Sequence, residues 1–220
     1  DPENAYLILR KARSLGLVPA GLSFHVGSQS KNVENYLQAL EISAHIFDEA
    51  KENDVPLRIM DIGGGFPIQH FDNEIGVNFE RMAAEIRKQI RRFFDKKVQF
   101  IAEPGRFLVG PAGILVTQVT GRAFRSNKNY YYLNDGVYGD FSGMVFDHCK
   151  YEFKTLRRGQ TFLSALAGPT CDSFDTLSLD VEIPELYVGD VVYVKNIGAY
   201  SSASAVANFN GFAPAKIVMV

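Results

Sequence analysis

The sequence lacks the features by which several classes of protein are recognised. Its two cysteines, Cys149 and Cys171, are too few for a disulfide framework, and free thiols suit a reducing compartment. No apolar run approaches the roughly 18 to 20 residues that span a bilayer. The N-terminal residues 1–4 carry neither the basic nor the apolar region of a signal peptide. We therefore expect a cytoplasmic protein with no membrane partner.

An excess of charge of either sign is also missing. The chain has 23 Lys and Arg against 25 Asp and Glu, a formal net charge of -2. Such a chain has no basic field to neutralise phosphates, so we expect no nucleic-acid partner. The four histidines are scattered, which predicts no metal site. A hydrophobic content of 46% over 220 residues supports a core in one large domain or two modest ones.

The first half of the chain alternates helical and strand-like segments. Helical spacing of apolar residues covers residues 1–15, 32–53 and 79–94, and apolar runs of strand length cover residues 18–24, 57–62 and 98–102. Strands that are almost wholly apolar and alternate with helices predict a parallel sheet covered by helices, in a barrel or a doubly wound sheet. The polar and Gly-rich residues follow the strands, where ligands bind in both architectures.

The second half has a different texture. Its strand-like runs are separated by Gly, Asn, Asp and Pro rather than by helices, which predicts an antiparallel β domain. The runs are residues 114–119, 130–133, 159–166, 191–195 and 216–220. We place the boundary near Gly110, giving residues 1–110 and 111–220. Residues 201–207 are rich in small side chains and predict a turn or short helix beneath a site.

One stretch joins an acid and a base to the end of a strand. Glu103 follows the apolar run 98–102, and Pro104-Gly105 then leads to Arg106. We expect this turn neither to continue the sheet nor to start an ordinary helix. A carboxylate stabilises a protonated pyridine and Arg binds phosphate in a fork, so the pair suits a ligand with both groups. A solvated surface ion pair is the alternative interpretation.

Two other strand ends carry residues suited to a phosphorylated ring. Gly63–Gly65 would let backbone amides approach a phosphate, although Phe66 follows where a dinucleotide fingerprint would open a helix. A tight turn is the alternative. After the first strand, His25 offers a ring for stacking and Ser28 a hydroxyl for a phosphate, while a structural histidine is the alternative.

The second half contributes polar loops. Asp147 and Asp172 would suit a terminal ammonium group if both faced one cavity, and solvated carboxylates are the alternative. Cys171 is interpreted either as a buried small hydrophobe or as a proton donor or nucleophile. The phenol of Tyr200 could reach a phosphate.

Six segments in order resemble the ornithine, diaminopimelate and arginine decarboxylases, which are pyridoxal-phosphate enzymes with an alanine-racemase-like barrel and a C-terminal β domain. The segments are residues 24–28, 61–66, 103–106, 168–172, 198–200 and 209–212. The Cys-Asp pair at 171–172 and the Asp-Gly-Val-Tyr-Gly segment at 135–139 resemble the ornithine type. The resemblance implies the C-terminal part of a (β/α) barrel followed by a β domain.

The resemblance also implies roles for matching positions. His25 would stack on the cofactor ring, Glu103 would pair with the pyridine nitrogen, and Cys171 would return a proton to the substrate carbon. The implied cofactor-binding residues are His25, Ser28, Gly64, Gly65, Glu103, Pro104, Gly105, Arg106 and Tyr200. The implied substrate-binding residues are Phe146, Asp147, Asp172 and Phe209.

The implied reaction is decarboxylation of a basic amino acid, L-ornithine to putrescine in polyamine biosynthesis. Lysine/ornithine decarboxylation, diaminopimelate decarboxylation and a non-catalytic regulatory relative are the alternatives. In this family Cys171 and Asp172 serve the partner subunit's site, so a homodimer with shared active sites is implied. The cofactor-attaching lysine of the family has no counterpart here, so we expect an N-terminal barrel segment to supply it and this chain alone to be inactive.

Overall fold

The computed structural model describes residues 2–220 and divides them into two compact units. Unit 1 comprises the residues up to Pro67 together with Gly76–Phe107, and unit 2 comprises Ile68–Ile75 and Leu108–Val220. Each unit contains its own cluster of buried apolar side chains. The units are therefore described separately.

Unit 1 alternates helices and strands as the sequence predicts. Its elements are α1 (Pro2–Ser14), β1 (Gly21–Ser23), α2 (Glu34–Glu52), β2 (Ile59–Asp61), α3 (Phe79–Phe93) and β3 (Gln99–Ile101). The strands form one parallel sheet in the order β1-β2-β3. Each strand has only three residues and is therefore shorter than the apolar run that predicted it. An apolar run indicates burial, which extends over a longer stretch than the backbone pairing.

The core of unit 1 lies between its sheet and helices α2 and α3. Tyr36 and Leu40 of α2 pack with Met60 of β2, and Met82 and Ile86 of α3 complete the buried centre. Helix α3 begins after Asn78, whose side chain accepts a hydrogen bond from the Arg81 amide at 2.9 Å. The inward positions of α3 recur at helical spacing, so the sequence pattern accounts for its packing.

The turn after β3 corrects one expectation. A short helix, α4 (Gly105–Val109), begins directly after Pro104. The prediction that Pro-Gly would not start a helix was wrong, because the first amides of a helix have no intrahelical partner and a proline there costs no hydrogen bond. Arg106 therefore lies in the first turn of a helix.

Unit 2 contains a six-stranded sheet in the order β6-β9-β4-β5-β7-β8. Its elements are β4 (Ile114–Arg125), β5 (Lys128–Leu133), α5 (Gly143–Phe146), β6 (Lys154–Thr155), β7 (Thr161–Ala167), β8 (Thr176–Pro184) and β9 (Val191–Lys195). The pairing is antiparallel except between β5 and β7, which are parallel. The expectation of a wholly antiparallel sheet was wrong at this one pair.

Two further differences concern the strands of unit 2. Strand β8 was missed because its outward positions are polar, so it contains no continuous apolar run. Residues 216–220 do not form a strand although residues 217–220 are apolar, and all five are exposed. A strand needs a neighbouring backbone as well as apolar side chains.

The core of unit 2 is formed by inward side chains of the sheet together with Val137, Phe141 and Tyr151. The short helical turn predicted within residues 201–207 is present at Ser202–Ser204. Across residues 2–220, no helix combines the length and the hydropathy that a membrane span requires.

Candidate active site

The segments that follow the three parallel strands meet at one edge of the sheet in unit 1. The Glu103 amide donates a hydrogen bond to the Gly63 carbonyl at 2.8 Å, which ties the end of β3 to the end of β2. A Cβ atom on Gly64 would lie 2.6 Å from the Glu103 carbonyl oxygen and 3.5 Å from Nε2 of His25. The fold therefore brings His25, Gly64 and Glu103 together.

The glycine turn has a conformation that other residues rarely adopt. Gly63 and Gly65 have positive φ angles of 63° and 91°. A Cβ on Gly63 would lie 2.1 Å from the Phe24 carbonyl oxygen, and one on Gly65 would lie 2.2 Å from the Gly27 carbonyl oxygen. Both glycines are thus required by backbone conformation and by close backbone approach.

The side chain of Tyr36 supports the glycine turn through a hydrogen bond. It is fully buried, and its hydroxyl donates a hydrogen bond to the Gly64 carbonyl at 2.9 Å. Burial raises the pKa of Tyr36 to about 12, so the phenol remains a donor at neutral pH. The sequence analysis placed Tyr36 on a helix without this role. A tyrosine at an inward helical position was the available signal, since a buried hydroxyl needs a partner.

His25 is exposed and its ring is oriented by the main chain. Its Nδ1 accepts a hydrogen bond from the Gly27 amide at 2.9 Å. The bond assigns the proton of the neutral ring to Nε2, the nitrogen nearest to Gly64. Ser28 is also exposed, in the turn that follows.

The acid and the base after β3 have different surroundings. Glu103 is exposed, whereas Arg106 is 5% exposed. Pro104 is half-buried between them, and Gly105 is exposed. A buried guanidinium differs from the solvated surface pair that was the alternative interpretation, because arginine is rarely buried without a specific use.

Two turns and the C-terminal segment meet in unit 2. The Tyr138 hydroxyl donates a hydrogen bond to the Asp172 carboxylate, and the Tyr138 ring stacks on Phe209 with centroids 4.0 Å apart. Asn210 Nδ2 donates to the Cys171 sulfur at 3.1 Å. The structure therefore assembles three of the predicted residues, Cys171, Asp172 and Phe209, around Tyr138.

The hydrogen bond from Tyr138 polarises both partners. It lowers the pKa of Asp172, and the amide of Phe174 acts in the same direction. The same bond is the main cause that raises the pKa of Tyr138. Asp172 is exposed and remains a carboxylate at neutral pH, as binding an ammonium group requires.

The remaining predicted residues of unit 2 lie on other segments. Phe146 ends α5 and is exposed, and the half-buried Asp147 accepts a hydrogen bond from the Cys149 thiol at 3.6 Å. Tyr200 is 51% exposed and has a positive φ of 54°. The interpretation of Cys171 as a buried small hydrophobe was wrong, since Cys171 is exposed and Cys149 is the buried cysteine.

Comparisons with known proteins identify the family of the chain. Residues 1–110 match the family described as "Pyridoxal-dependent decarboxylase, pyridoxal binding domain". The chain is 41% identical over 210 residues to a lysine/ornithine decarboxylase of Selenomonas ruminantium, covering 96% of this chain and 53% of that protein. This chain belongs to the pyridoxal-dependent decarboxylases.

Two other similar proteins extend the comparison. A lysine/ornithine decarboxylase from Vibrio vulnificus, solved in complex with cadaverine, superposes with a TM-score of 0.89 at 38% identity, over 97% of this chain and 59% of that one. Antizyme inhibitor 2 of Xenopus laevis is 36% identical over 93% of this chain and 48% of its own length. The chain spans about half the length of the curated relatives that it matches.

Unit 1 fits the family's cofactor, pyridoxal phosphate. A planar ring needs flat surfaces on both sides, and the missing side chain at Gly64 leaves space beside His25 Nε2 that a Cβ would fill. The exposed Glu103 carboxylate and the buried Arg106 guanidinium have the two charges that could bind a pyridine nitrogen and a phosphate. Among residues 2–220, no cluster of His, Cys, Asp and Glu has the arrangement of a metal site.

Sequence reasoning missed a group of acidic residues beneath the turns of unit 2. Asp140 and Asp175 are buried, and Asp135 Oδ1 accepts hydrogen bonds from the amides of Gly136 and Asp140. Burial and the neighbouring Asp140 charge raise the pKa of Asp135 to about 7. The sequence indicates turns at Asp135-Gly136 and at the segment of Cys171, Asp172 and Asp175. The spacing of these residues does not show that the carboxylates of Asp135 and Asp175 lie inward.

These acids border a small cavity. Asp135, Thr170, Asp175 and Phe209 are among the residues that line it, and its volume is about 40 Å³. Sites for small molecules are much larger, roughly 300 to 1,000 Å³. The cavity is therefore too small to be an amino-acid site by itself.

Proposed function

We propose that this chain forms part of a decarboxylase that converts L-ornithine to putrescine in polyamine biosynthesis, with pyridoxal phosphate as cofactor. The observation that carries the proposal is the convergence of His25, Gly64 and Glu103 at the carboxyl edge of the parallel sheet, in a chain that belongs to the pyridoxal-dependent decarboxylases. L-Lysine is the second candidate substrate, because relatives named lysine/ornithine decarboxylase are among the proteins most similar to this chain.

In this proposal unit 1 binds and polarises the cofactor. Pyridoxal phosphate supplies an electron sink for the pair released when the carboxylate leaves. Glu103 keeps the pyridine nitrogen protonated, which strengthens that sink. His25 packs against the ring, held in orientation by the Gly27 amide. Ser28, Gly64, Gly65 and Arg106 hold the phosphate end, and Pro104 and Gly105 form the turn that leads to Arg106.

The residues of unit 2 act on the substrate in this proposal. Asp172, kept ionised by Tyr138, binds the distal ammonium group together with Asp147, and Phe146 and Phe209 border the same part of the substrate. Cys171 returns a proton to the carbon that lost the carboxylate. The side-chain amide of Asn210 orients the Cys171 sulfur. Following the family resemblance, we propose that Cys171 and Asp172 serve the site of a partner subunit in a homodimer.

The finer architecture is also part of the proposal. The three parallel strands of unit 1 belong to a (β/α) barrel, and a further segment of that barrel carries the cofactor-attaching lysine. The parallel pairing and the similarity to solved decarboxylases support this arrangement. We propose a cytoplasmic enzyme.

A non-catalytic regulatory protein is the second candidate function. The similarity to antizyme inhibitor 2 favours it, because that relative is named as an inhibitor and not as an enzyme. The presence of Cys171, Asp172 and Glu103 in the chain favours the decarboxylase, since a protein that only binds a partner has no chemical need for a proton donor and an electron-sink carboxylate.

Release of CO₂ from carbon-labelled L-ornithine and L-lysine tests the proposal. The complete protein, loaded with pyridoxal phosphate, is expected to show the visible absorbance of the lysine-bound cofactor and to release CO₂ faster from ornithine. Absorbance without CO₂ release from any basic amino acid would favour the regulatory candidate.

The Glu103→Ala variant tests the electron-sink role. It is expected to lower kcat by at least about 100-fold with a much smaller loss of cofactor affinity, because a preorganised charge acts mainly on the transition state. Glu41→Ala, an exposed acid on α2, is the matched control. Equal losses of kcat and cofactor affinity would contradict the assignment.

A further inference from the structure

We propose that Asp175 is a positioning residue that holds together two turns of unit 2, residues 134–139 and residues 168–172, and thereby places Tyr138 and Asp172 for substrate binding. The sequence pattern assigns no common support to these two turns. The inference rests on the proposed function, because it assigns the arrangement of the residues that would receive the substrate's distal ammonium group.

The Asp175 carboxylate bridges the two turns directly. Its side chain is buried, with 2% of the residue exposed. Oδ1 accepts a hydrogen bond from the Val137 amide at 2.8 Å, and Oδ2 accepts one from the Thr170 amide at 3.0 Å. Each carboxylate oxygen therefore binds a different turn, and the carboxylate group fixes the separation between them.

Glycines let the turns approach this carboxylate. A Cβ on Gly136 would lie 2.0 Å from Asp175 Oδ1, and a Cβ on Gly168 would lie 2.2 Å from the same oxygen. Any side chain at either position would have to displace the carboxylate. Both turns therefore pack directly against the Asp175 carboxylate.

The main chain of Asp175 closes the second turn. The Gly168 amide donates a hydrogen bond to the Asp175 carbonyl at 2.8 Å, and the Asp175 amide donates one to the Asp172 carbonyl at 3.0 Å. Asp175 is therefore rigidly attached to the turn that carries Cys171 and Asp172. Its side chain extends that attachment to the turn that carries Tyr138.

The bond between Tyr138 and Asp172 depends on this bridge. Tyr138 follows Val137 in the first turn, and Asp172 lies two residues after Thr170 in the second. The Tyr138 hydroxyl reaches Asp172 across the two turns, and this bond lowers the pKa of the carboxyl group. If the turns separated, Asp172 would lose its orientation although neither its own identity nor that of Tyr138 had changed.

Asp175→Asn in the complete, pyridoxal-phosphate-loaded protein tests the inference. The amide keeps the shape of the side chain but presents an NH₂ group to one of the two backbone amides, so one bridge is lost. We expect KM for L-ornithine to rise about 10- to 100-fold, by analogy with the loss seen when the outer-shell partners of metal ligands are removed. The visible absorbance of the bound cofactor is expected to be unchanged. Asp180→Asn, an exposed acid on β8, the strand that begins directly after Asp175, is the matched control and should behave as wild type.

A double-mutant cycle with Tyr138→Phe separates positioning from general destabilisation. If Asp175 acts through the Tyr138–Asp172 bond, Asp175→Asn should raise KM much less in the Tyr138→Phe background than in wild type. Equal effects in both backgrounds would overturn the inference. If Asp175→Asn does not fold, Gly136→Ala replaces it in the cycle, because its Cβ would displace the same carboxylate.

Hydrogen exchange at the Val137 and Thr170 amides provides a readout that does not need catalysis. At least one of the two amides should exchange faster in Asp175→Asn than in Asp180→Asn, because the asparagine side chain keeps only one acceptor oxygen. Unchanged exchange would overturn the bridge itself. Absence of CO₂ release by wild type would overturn the proposed function, and the substrate-positioning role with it, while faster exchange would still support the bridge. An active wild type with an unaltered KM in Asp175→Asn would overturn the positioning role alone.

Discussion

The two units assemble their candidate site residues by different means. In unit 1 the backbone does so, because the ends of three parallel strands are joined by amide–carbonyl hydrogen bonds and Gly63 and Gly65 contact carbonyl oxygens of the preceding segment. In unit 2 side chains do so, because the carboxylates of Asp135 and Asp175 bind the amides of the turns. The site in unit 1 therefore depends on glycines, which have no side chain. The site in unit 2 depends on the carboxylate side chains of Asp135 and Asp175.

The two units also differ in the ionisable groups that support their turns. The buried support of unit 1 is the neutral phenol of Tyr36, whose ionisation is moved far above neutral pH. The supports of unit 2 are acids, and the pKa of Asp135 is raised to about 7 by burial and by Asp140. Changes of pH between about 4 and 7 are therefore expected to affect unit 2 more than unit 1.

The largest effect is expected from Gly64→Ala. The new methyl group would lie 2.6 Å from the Glu103 carbonyl and would fill the space beside His25 Nε2. We expect affinity for pyridoxal phosphate to fall at least about 100-fold, because the clash involves backbone that cannot move away cheaply. Cofactor titration followed by absorbance measures this loss.

Gly121→Ala is the control for that experiment. Its Cβ would meet the Tyr132 side chain at an ordinary contact distance of 3.5 Å. Undiminished cofactor binding by Gly64→Ala would show that backbone approach in unit 1 does not shape the cofactor site.

An intermediate effect is expected from Asp135→Asn on the pH dependence of stability. Because its folded pKa is raised to about 7 from an ordinary value of 3.8, the protonated acid stabilises the folded state fully below pH 3.8, and this contribution is lost by about pH 7. Stability should therefore fall as pH rises through this window, by at most about 1.4 kcal/mol per pH unit for one group.

The neutral amide introduced by this substitution would resemble the protonated acid at every pH, so the slope should flatten in the variant. Denaturant unfolding of the complete protein at about pH 4, 5.5 and 7 measures it across the window in which the acid titrates, and Asp180→Asn is the control. Parallel curves for wild type and Asp135→Asn would mean that the pKa of Asp135 is not raised.

The smallest effect is expected from Tyr36→Phe. The variant keeps the aromatic packing and removes the hydrogen bond to the Gly64 carbonyl, which should lower the free energy of unfolding by about 1 kcal/mol. Denaturant unfolding checks this value, with Tyr6→Phe, a half-buried tyrosine on α1, as the control. Equal stability in both variants would show that the Tyr36 hydrogen bond does not stabilise the glycine turn.

Much of unit 1 could be predicted because its information is local. Helical and strand-length apolar patterns located all six elements up to β3, and Gly63–Gly65 indicated a turn that only glycine allows. The segments of this unit that identify the family also lie at strand ends, where a ligand site is expected in a parallel sheet.

Much of unit 2 could not be predicted in this way. Strand β8 has no apolar run, β5 and β7 pair in parallel, and residues 216–220 remain outside the sheet. Strand pairing joins backbones that are far apart in the chain, so the residues of one strand do not specify its neighbour.

The sequence by itself therefore determined the alternation of unit 1, the glycine turn and the family, because helical periodicity, glycine conformation and ordered motifs are properties of neighbouring residues. Only the tertiary structure decided that Tyr36 supports Gly64, that Arg106 is buried at the start of a helix and that Asp175 joins two turns. These roles depend on which atoms become neighbours after folding. Burial then turns ordinary polar side chains into specific hydrogen-bond partners.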